Sequence, residues 1–460
     1  MQADSAVLVA TADAPTADTA DVVDSVHRAV RAATRTDDHH CRTAWVLVTV
    51  RGTPLGVIPR APLPLDRDDV TRRVREMSPG PRPRTPPVLT CRAPLSSATV
   101  VVATAVRRPG GLRACLESIA QLDHDDHDVV VVDNRPEAPA ADPLPDLVAG
   151  LPRVRVVREA RPGVGAARNA GLAAATGRVV AFTDDDVRVD RGWLTALVQR
   201  LDSSPEVHAA TGLVVPSELV TPAQQRYELH YGGAGAPRVL EAHDVRLRAG
   251  AGKWIDPRLR VRTPRGGAGV SSLTAYGVGA YGSGSSMAFR RDVLVALGGF
   301  DPALGTGTPS CGGEDLRVLV QVLYRGGTVA YEPRAVAHHR HRRSDRALRE
   351  QVRGGGVGFT AMITSLVLQD PRHLLALGCT APTAGLRKLA GARAATAAPP
   401  PADDDGAELH ELARVEAEGL RAGPGAYLRS RRAARTAVGA DAVESVTVAT
   451  AAARGQEERR

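Results

Sequence analysis

An α/β fold built on a mostly parallel sheet is predicted for residues 96–345, and two observations support it. Short runs of apolar and β-branched residues alternate with helical patterns, beginning with ATVVVATAV, LRACLESIAQL and DVVVVDN. The helical patterns recur between the strands instead of gathering at one end of the region. Continuous apolar strands separated by helices are typical of a parallel sheet that helices cover on both faces.

Three further elements extend this pattern before the rhythm changes. RVRVVRE is a predicted strand, AARNAGLAAATG a helix and RVVAFTDDD a strand that ends in acid. Ligands of such sheets bind beyond the carboxyl ends of the strands, which carry Thr104, Asp133 and the run from Asp184 to Asp186. Past Pro216 the sequence is irregular and rich in glycine, so we expect part of this stretch to be a mobile functional loop.

Smaller regions flank this domain on both sides. We expect a disordered leader over residues 1–25, where Asp4 stands in place of the basic start of a secretory signal. Residues 26–95 form a small α/β region, with the strand AWVLVTVRG and the helix DRDDVTRRVREM, and they end in a proline-rich linker. Residues 346–393 are a predicted helical extension, and residues 394–460 are a partly disordered tail.

The charge of the chain is compatible with an anionic ligand. Its 460 residues carry a formal net charge of +8, and Lys253 and Lys388 are the only lysines, so the positive charge is almost all arginine. Arginine suits phosphate groups, although the codon usage of a GC-rich genome explains the same bias. Aromatic residues make up only 3% of the chain, which weighs against a binder of single-stranded nucleic acid.

Cysteine usage and hydropathy bear on location. The five cysteines are odd in number and form no Cys-x-x-Cys pair, which argues against a disulfide framework and a zinc site and favours a reducing cytoplasm. The most apolar late stretch, FTAMITSLVLQ, falls well short of the roughly 20 residues needed to span a bilayer. We therefore expect a cytoplasmic protein that touches a membrane, at most, peripherally at its inner face.

The sharpest chemical signal is the acidic triplet Asp184-Asp185-Asp186, which directly follows an apolar strand. Three adjacent carboxylates repel one another, so burying them is costly unless a cation neutralises them. Mn²⁺ or Mg²⁺, held by carboxylates and by substrate phosphates, would do so. A solvated acidic turn explains the run equally well when the triplet is taken alone.

A second acidic motif, Glu314-Asp315, follows two glycines and opens an apolar helix. A carboxylate held at a helix start keeps a fixed geometry, and it could take a proton from an attacking hydroxyl. Capping of the helix is the alternative, and the motif alone favours capping.

Two basic motifs lie elsewhere in the domain. The glycine turn before Arg168 leads into a helix, where it could present backbone N–H groups to a phosphate or serve as a plain strand-to-helix turn. The group His338-His339-Arg340-His341 follows a strand-like run. One of its histidines could complete a metal shell, whereas a solvated basic turn is the simpler interpretation.

The order of these motifs resembles that of family 2 glycosyltransferases of the GT-A fold. The resemblance covers about 245 residues. It is carried, in order, by VVVATAVRRP, VVVVDN, RPGVGAARNAGLAAATG, FTDDDV, GSGSSMAFRR, LGGFDPALGTG, GGEDL and YEPRAVAHHRHR.

The resemblance implies an inverting transferase that moves a hexose from a nucleotide diphosphate sugar, with UDP-sugar favoured, to an acceptor hydroxyl. Asp315 is implied as the general base, with Glu314 beside it, and Mn²⁺ or Mg²⁺ as the cofactor. The implied donor-binding residues are Thr104, Asp133, Arg168, Asp184, Asp185 and Ser286. The implied metal ligands are Asp186, Asp184 and His339, with His338 and His341 as alternatives to the histidine. A lipid, a peptide-derived cofactor, a polysaccharide or a small metabolite could each be the acceptor.

Two positions depart from the family pattern. Val106 stands where the family often has an aromatic residue or arginine, and Ser286 stands where it has asparagine. These departures leave a non-catalytic nucleotide-sugar-binding module as one alternative. The other alternative, a sugar-1-phosphate nucleotidyltransferase, would need lysines that grip a triphosphate, and the chain has none before Lys253.

Overall fold

A computed structural model describes residues 6–37, 41–77, 94–137, 139–151, 153–231, 240–263, 267–380 and 404–457. Its first part is a three-stranded sheet in the order β1-β2-β3 with two helices. These elements are β1 (Val7–Ala14), α1 (Thr19–Arg35), β2 (Thr43–Val50), β3 (Thr53–Pro62) and α2 (Arg67–Met77). The predicted strand and helix of this region are confirmed as β2 and α2.

The predicted disordered leader is wrong from Val7 onward. β1 pairs in parallel with β2 from Val7–Thr43 to Ala14–Val50, and α1 follows it directly. The reason is that β1 has a face of its own to bury: Leu8, Ala10 and their neighbours pack with α1 and α2 in a separate core. On the opposite face Trp45 belongs to the core of the main domain, so this small α/β unit packs on the main domain.

The main domain is built on a second, larger sheet. Its strands are β4 (Ala98–Thr104), β5 (His127–Asp133), β6 (Val154–Arg158), β7 (Val179–Asp184), β8 (Val187–Val189), β9 (Val207–Pro216), β10 (His243–Arg246), β11 (Arg258–Arg262), β12 (Ala268–Thr274), β13 (Met287–Arg290) and β14 (Thr328–His339). They are ordered β12-β11-β10-β14-β9-β13-β7-β4-β5-β6, and β8 pairs with β14.

Ten described helices accompany the second sheet and the carboxy-terminal region. They are α3 (Pro109–Ile119), α4 (Leu144–Val148), α5 (Val164–Ala174), α6 (Trp193–Asp202), α7 (Pro222–His230), α8 (Arg291–Ala296), α9 (Glu314–Tyr324), α10 (Asp345–Gln369), α11 (His373–Thr380) and α12 (Asp404–Glu457). In β4, Val101 faces one core while Val100 and Val102 face another, because successive side chains of a strand point to opposite faces. Helices therefore cover both faces of the sheet, as the apolar strands predicted.

The sheet is mixed, which corrects the expectation of a mostly parallel one. β6, β5, β4 and β7 pair in parallel as predicted. β13 runs antiparallel between β7 and β9, and β10 to β12 form an antiparallel extension. Part of the glycine-rich stretch after Pro216 was predicted to be a mobile loop. The described part of the stretch contains these three strands, and residues 232–239 and 264–266 lie outside the described residues.

The carboxy-terminal region is more ordered than the sequence suggests. The predicted helical extension is represented by α10 and α11, and α12 runs through most of the predicted tail. Residues 381–403 lie outside the described residues. Among the helices that the structure describes, none combines the length and the apolar character needed to cross a bilayer.

Candidate functional site

The acidic triplet occupies a tight turn at the carboxyl edge of the parallel strands. β7 ends at Asp184 and β8 begins at Val187, so Asp185 and Asp186 form the turn between two paired segments of the sheet. The three carboxylates contact different groups, and none of them shares a partner with its neighbour. Each of the three carboxylates accepts a hydrogen bond from a different donor, which lowers the free-energy cost of holding three like charges close together.

The side chain of Asp186 is nearly enclosed and contacts two basic side chains. Its side chain is 8% exposed, Arg108 Nη2 donates to Oδ2 at 2.6 Å, and His339 Nε2 lies 3.6 Å from Oδ1. The antiparallel pairing of β8 with β14 explains this geometry, because His339 is opposite Val187, the residue after Asp186. Sequence reasoning missed Arg108, although an arginine pair directly after the first strand was a usable signal.

The three candidate histidines contact different carboxylates, although His339 and His341 also contact each other, with 3.4 Å between their Nδ1 atoms. His338 Nε2 lies 3.0 Å from Asp190 Oδ1, and His341 Nε2 lies 3.2 Å from Glu228 Oε2. Only His339 contacts the triplet among the three. Burial lowers the pKa of His339, although Asp186 opposes the shift, and a lowered pKa favours the neutral imidazole that can act as a ligand.

The predicted metal set of Asp184, Asp186 and His339 does not converge as a three-residue site. Within the described ranges, no group of three His, Cys, Asp or Glu side chains is arranged to hold a metal ion. Asp184 contacts Ser285 and Arg168 instead of the Asp186–His339 pair. A buried carboxylate beside a neutral imidazole still fits Mn²⁺ or Mg²⁺, because such ions take one or two protein ligands and complete their shell with water and substrate phosphate.

Arg168 lies behind the carboxylates instead of facing a ligand. The residue is 3% exposed. Its Nη1 donates to Glu314 Oε1 at 2.7 Å, and its Nη2 donates to Asp184 Oδ1 at 3.0 Å and to the Gly284 carbonyl at 3.2 Å. The guanidinium is bound by two carboxylates in this structure, and its contact with the donor phosphate stays a prediction. Arg168 joins the acidic triplet to the Glu314-Asp315 motif.

The backbone N–H groups of the glycine turn that precedes Arg168 also form hydrogen bonds with other parts of the protein. Val164 N donates to the Thr306 carbonyl at 2.9 Å, and Gly163 N donates to Asn134 Oδ1 at 3.2 Å. A side chain at Gly165 would lie 2.7 Å from the Asp301 carbonyl, so the turn packs directly against the loop that precedes α9. The predicted phosphate-binding turn is thus a packing turn in this structure.

Asp315 is held by two backbone N–H groups. Gly284 N donates to Oδ2 at 2.6 Å and Leu316 N donates to Oδ1 at 2.8 Å. Gly313 precedes α9 with φ 88°, a conformation that favours glycine, and it lets the chain turn into the helix. Asp315 is only partly buried, whereas Glu314 is buried, so Asp315 is the more accessible of the two carboxylates.

Glu314 is buried beside Arg168, which donates to one of its two carboxylate oxygens. Its Oε2 has no hydrogen-bond partner among the described residues. Burial and the nearby charge of Asp315 raise the pKa of Glu314 to about 7, while Arg168 opposes the shift. Glu314 therefore binds a proton more readily in the folded chain than in the unfolded chain.

Glu314→Gln is expected to weaken the pH dependence of stability. Because the pKa of Glu314 is raised on folding, its contribution to stability is full below about pH 4.5 and is lost as the pH rises through about 7. Glutamine does not ionise, so the variant should gain stability relative to the wild type as the pH rises. Thermal unfolding at several pH values between about 5 and about 8 measures this. Glu350→Gln, at an exposed position of α10, is the control, and parallel curves for Glu314→Gln and the wild type would contradict the assignment.

The two residues predicted to contact the nucleotide base and ribose form hydrogen bonds with other residues of the protein. Thr104 Oγ1 donates to Asp185 Oδ2 at 2.6 Å and accepts from Val106 N at 2.9 Å. Asp133 accepts from Arg135 Nε at 2.7 Å and from Arg135 Nη2 at 2.8 Å. Both residues lie at the predicted edge of the sheet, and their contact with a nucleotide stays a prediction.

Ser286 does not line the site. It is fully buried, and its hydroxyl accepts from Trp193 Nε1 at 2.9 Å. Ser286 faces α6, whereas the preceding Ser285 donates to Asp184 Oδ2 at 2.9 Å. The donor contact of Ser286 stays a prediction. A sequence motif fixes a position to within a residue, and a one-residue difference changes which side of the backbone a side chain occupies.

A comparison with protein families matches the region that contains most of this site. A family model described as glycosyl transferase family 2 matches residues 99–262. The match covers the carboxyl ends of β4, β5 and β7 with the acidic triplet. It ends before α9 and β14, which carry Asp315 and His339.

Curated relatives agree with that match. The pre-mycofactocin glycosyltransferase of Mycobacterium tuberculosis is 26% identical over 233 residues, which are 50% of this chain and 40% of that protein. The succinoglycan biosynthesis protein ExoO of Rhizobium meliloti is 42% identical over 95 residues, which are 20% of this chain and 26% of that protein. The matches therefore span less than half the length of either relative.

A solved structure also overlays on the chain. The mannosyltransferase PcManGT from Pyrobaculum calidifontis, in complex with GDP-Man and Mn²⁺, has a TM-score of 0.44 at 18% identity and covers 72% of this chain and 87% of that one. The family match, taken with the observed α/β sheet and its flanking helices, confirms the expected GT-A fold. Residues 99–262 of this chain are similar to glycosyl transferase family 2.

Proposed function

We propose that the protein transfers a hexose from a nucleotide diphosphate sugar to an acceptor hydroxyl. The observation that carries the proposal is the acidic triplet: its Asp186 lies beside His339, and its Asp184 is joined through Arg168 to Glu314, the neighbour of Asp315. A donor diphosphate and an acceptor hydroxyl need two different chemical groups a short distance apart. These residues offer an acidic ligand at one end and a proton acceptor at the other.

Asp186 and His339 would hold the divalent ion, Mn²⁺ or Mg²⁺. When bound, the ion would neutralise the negative charge that grows on the diphosphate as the sugar leaves. Arg108 contacts the same carboxylate and is 37% exposed, so its side chain has room to move toward a phosphate when the carboxylate takes another partner. Asp184 is held in place by Ser285 and Arg168, which leaves it suited to orient the ribose or the sugar.

Asp315 would take the proton from the acceptor hydroxyl. Both of its oxygens accept backbone N–H bonds, which fix the orientation of the carboxylate without neutralising it. Behind it, Glu314 and Arg168 hold the start of α9 against the acidic triplet. Attack of a hydroxyl from the Asp315 side, opposite the leaving diphosphate, would invert the anomeric configuration of the sugar.

A UDP-sugar is the favoured donor. Four classes of acceptor are compatible with the proposal: a lipid, a peptide-derived molecule, a polysaccharide and a small metabolite. The preference for UDP rests on family frequency alone. A cytoplasmic location, with peripheral contact at the inner membrane face, is part of the proposal and rests on the cysteine usage and the hydropathy of the sequence.

A bound donor is expected to stabilise the protein in a manner that depends on metal. At a donor concentration of about 100 times Kd, mass action adds about 2.7 kcal/mol to the free energy of unfolding. Thermal unfolding in the presence of UDP-glucose or GDP-mannose, with Mn²⁺ and with EDTA, measures this. Mn²⁺ alone and a nucleoside triphosphate with glucose 1-phosphate are the controls. Stabilisation by the triphosphate, with release of pyrophosphate, would favour a nucleotidyltransferase, and no response to any nucleotide sugar would contradict the proposal.

A further inference from the structure

The long carboxy-terminal helix α12 makes direct backbone contact with α10. A Cβ built at Gly356 of α10 would lie 2.5 Å from the Glu416 carbonyl oxygen and 3.0 Å from Leu420 N. Gly419 of α12 approaches the Arg353 carbonyl more closely still, and a Cβ built at Gly423 would lie 2.5 Å from the Val357 carbonyl. Any side chain at these positions would push the two helices apart.

A proline fixes the register of this contact. Pro424 lies within α12 and has no N–H, so the carbonyl of Leu420, four residues earlier, loses its usual helical partner. Thr360 of α10 donates its hydroxyl to that carbonyl at 2.8 Å. The hydrogen-bond acceptor freed by the proline is thus satisfied from the other helix, which ties α10 to one position along α12.

The other side of α10 touches the turn that carries the proposed base. A Cβ built at Gly313 would lie 2.5 Å from the Gly358 carbonyl, and one built at Gly358 would lie 2.8 Å from the carbonyl carbon of Gly312. Gly312 and Gly313 immediately precede Glu314 and Asp315. α10 is therefore packed between α12 and the start of α9, and at these glycines its backbone contacts both neighbours directly.

A buried polar network makes a second link between α12 and α9. Tyr427 of α12 donates its hydroxyl to Asp301 Oδ2 at 2.9 Å, and Ser365 of α10 donates to the same oxygen at 2.5 Å. Arg317 of α9 donates Nε to Ser365 Oγ at 2.7 Å. Arg317 is in the first turn of α9, two residues after Asp315, so α12 is joined to the base-bearing helix by hydrogen bonds as well as by packing.

We propose that α12 is a positioning element of the active site, which sets the location of the Asp315 carboxylate through α10. The proposal rests on the proposed function, because it concerns the geometry of the base in that reaction. It assigns a role to a helix in a region that was predicted from sequence to be a partly disordered tail. The donor-side residues Asp186 and His339 lie on other elements, the β7–β8 turn and β14, so displacement of α10 should leave donor binding intact.

Paired glycine substitutions in the full-length chain test this. Gly356→Ala inserts a methyl group into the contact with α12, whereas a Cβ at the neighbouring Gly355 meets nothing within 4 Å. Both changes raise the helix propensity of α10 equally, so Gly355→Ala is the matched control. Thr360→Val removes the hydroxyl that donates to the Leu420 carbonyl, whereas Thr360→Ser retains a hydroxyl at this position.

The first measurement is the Mn²⁺-dependent hydrolysis of UDP-glucose or GDP-mannose, whichever the wild type turns over faster. We expect kcat to fall about tenfold to a hundredfold in Gly356→Ala and in Thr360→Val, with the KM of the donor unchanged. Gly355→Ala and Thr360→Ser should retain kcat within about twofold. Equal kcat in Gly356→Ala and Gly355→Ala would overturn the proposal. So would a loss of activity in Gly356→Ala that comes from a raised KM of the donor at unchanged kcat.

The second measurement is amide hydrogen exchange over residues 311–317, which does not depend on activity. Exchange there should be faster in Gly356→Ala than in Gly355→Ala, because the N–H of Arg317 and the carbonyl of Gly313 are hydrogen-bonded at this turn. Identical exchange in the two variants would overturn the proposal. Faster exchange in Gly356→Ala, in a protein whose wild type turns over no nucleotide sugar, would support the coupling of α12 to the turn and contradict the proposed function instead.

Discussion

Asp186→Ala is expected to reduce metal-dependent turnover of a nucleotide sugar by about 10²- to 10³-fold. The side chain is 8% exposed and is the carboxylate beside His339, so its removal leaves the imidazole without an acidic partner. A divalent ion held by one neutral ligand binds weakly, and the leaving diphosphate then lacks charge stabilisation. Steady-state kinetics over a range of Mn²⁺ concentrations measure the effect.

Asp190→Ala is the matched control for this variant. Asp190 also pairs with a histidine of β14, His338, at 3.0 Å, and its side chain is 41% exposed. Its removal takes away an Asp–His pair from the same pair of strands without touching the proposed ion site. We expect it to keep turnover within about twofold. Equal loss in the two variants would contradict the assignment of Asp186.

Asp315→Asn is expected to lower kcat by about 10²- to 10⁴-fold while the KM of the donor changes little. Asparagine retains an oxygen that can accept one of the two backbone N–H bonds, so the start of α9 should keep its structure. It cannot accept the proton of the acceptor hydroxyl. Parallel measurements of kcat and of donor binding by calorimetry separate the two effects.

Asp292→Asn provides the control for the change from carboxylate to amide. Asp292 is in the first turn of α8, and its Oδ1 accepts from Val293 N at 2.9 Å, the same local contact that Asp315 makes with Leu316. Its loss should leave kcat unchanged. Two results would contradict the role of Asp315: full activity of the Asp315→Asn variant, or a product whose anomeric configuration is retained when followed by NMR.

The parallel half of the main sheet follows from local sequence. The apolar runs of β4, β5 and β7 have no polar face, and only a sheet covered on both sides can bury them. The position of the acidic triplet follows from the same pattern, because the triplet comes directly after one of these runs. This is why the edge of the sheet and the acids at that edge were predictable without structural information.

The antiparallel strands were harder to predict because their partners are distant in sequence. β13 is four residues long and is placed between β7 and β9 by contacts more than 70 residues away. In β11 the arginines alternate with buried Leu259, and the surrounding glycines obscure the pattern. Short strands of this kind gain their stability from neighbouring strands, so local propensity is a poor guide to them.

The roles of individual side chains depended on tertiary contacts in the same way. Arg168 and Ser286 occupy family positions that suggest a ligand, but the first is bound by Glu314 and Asp184 and the second by Trp193. Such partners come from distant elements and are not encoded by spacing. The choice of His339 over His338 likewise follows from the register of β8 against β14.

Electron paramagnetic resonance of Mn²⁺ titrated into the wild-type protein, with and without UDP, tests directly whether Asp186 holds the ion. We expect bound Mn²⁺ to appear in the presence of both protein and UDP, and we expect Asp186→Ala to abolish this ternary signal while Asp190→Ala keeps it. Binding of Mn²⁺ and UDP that is equally strong in the wild type and in Asp186→Ala would contradict the role of Asp186 in holding the ion.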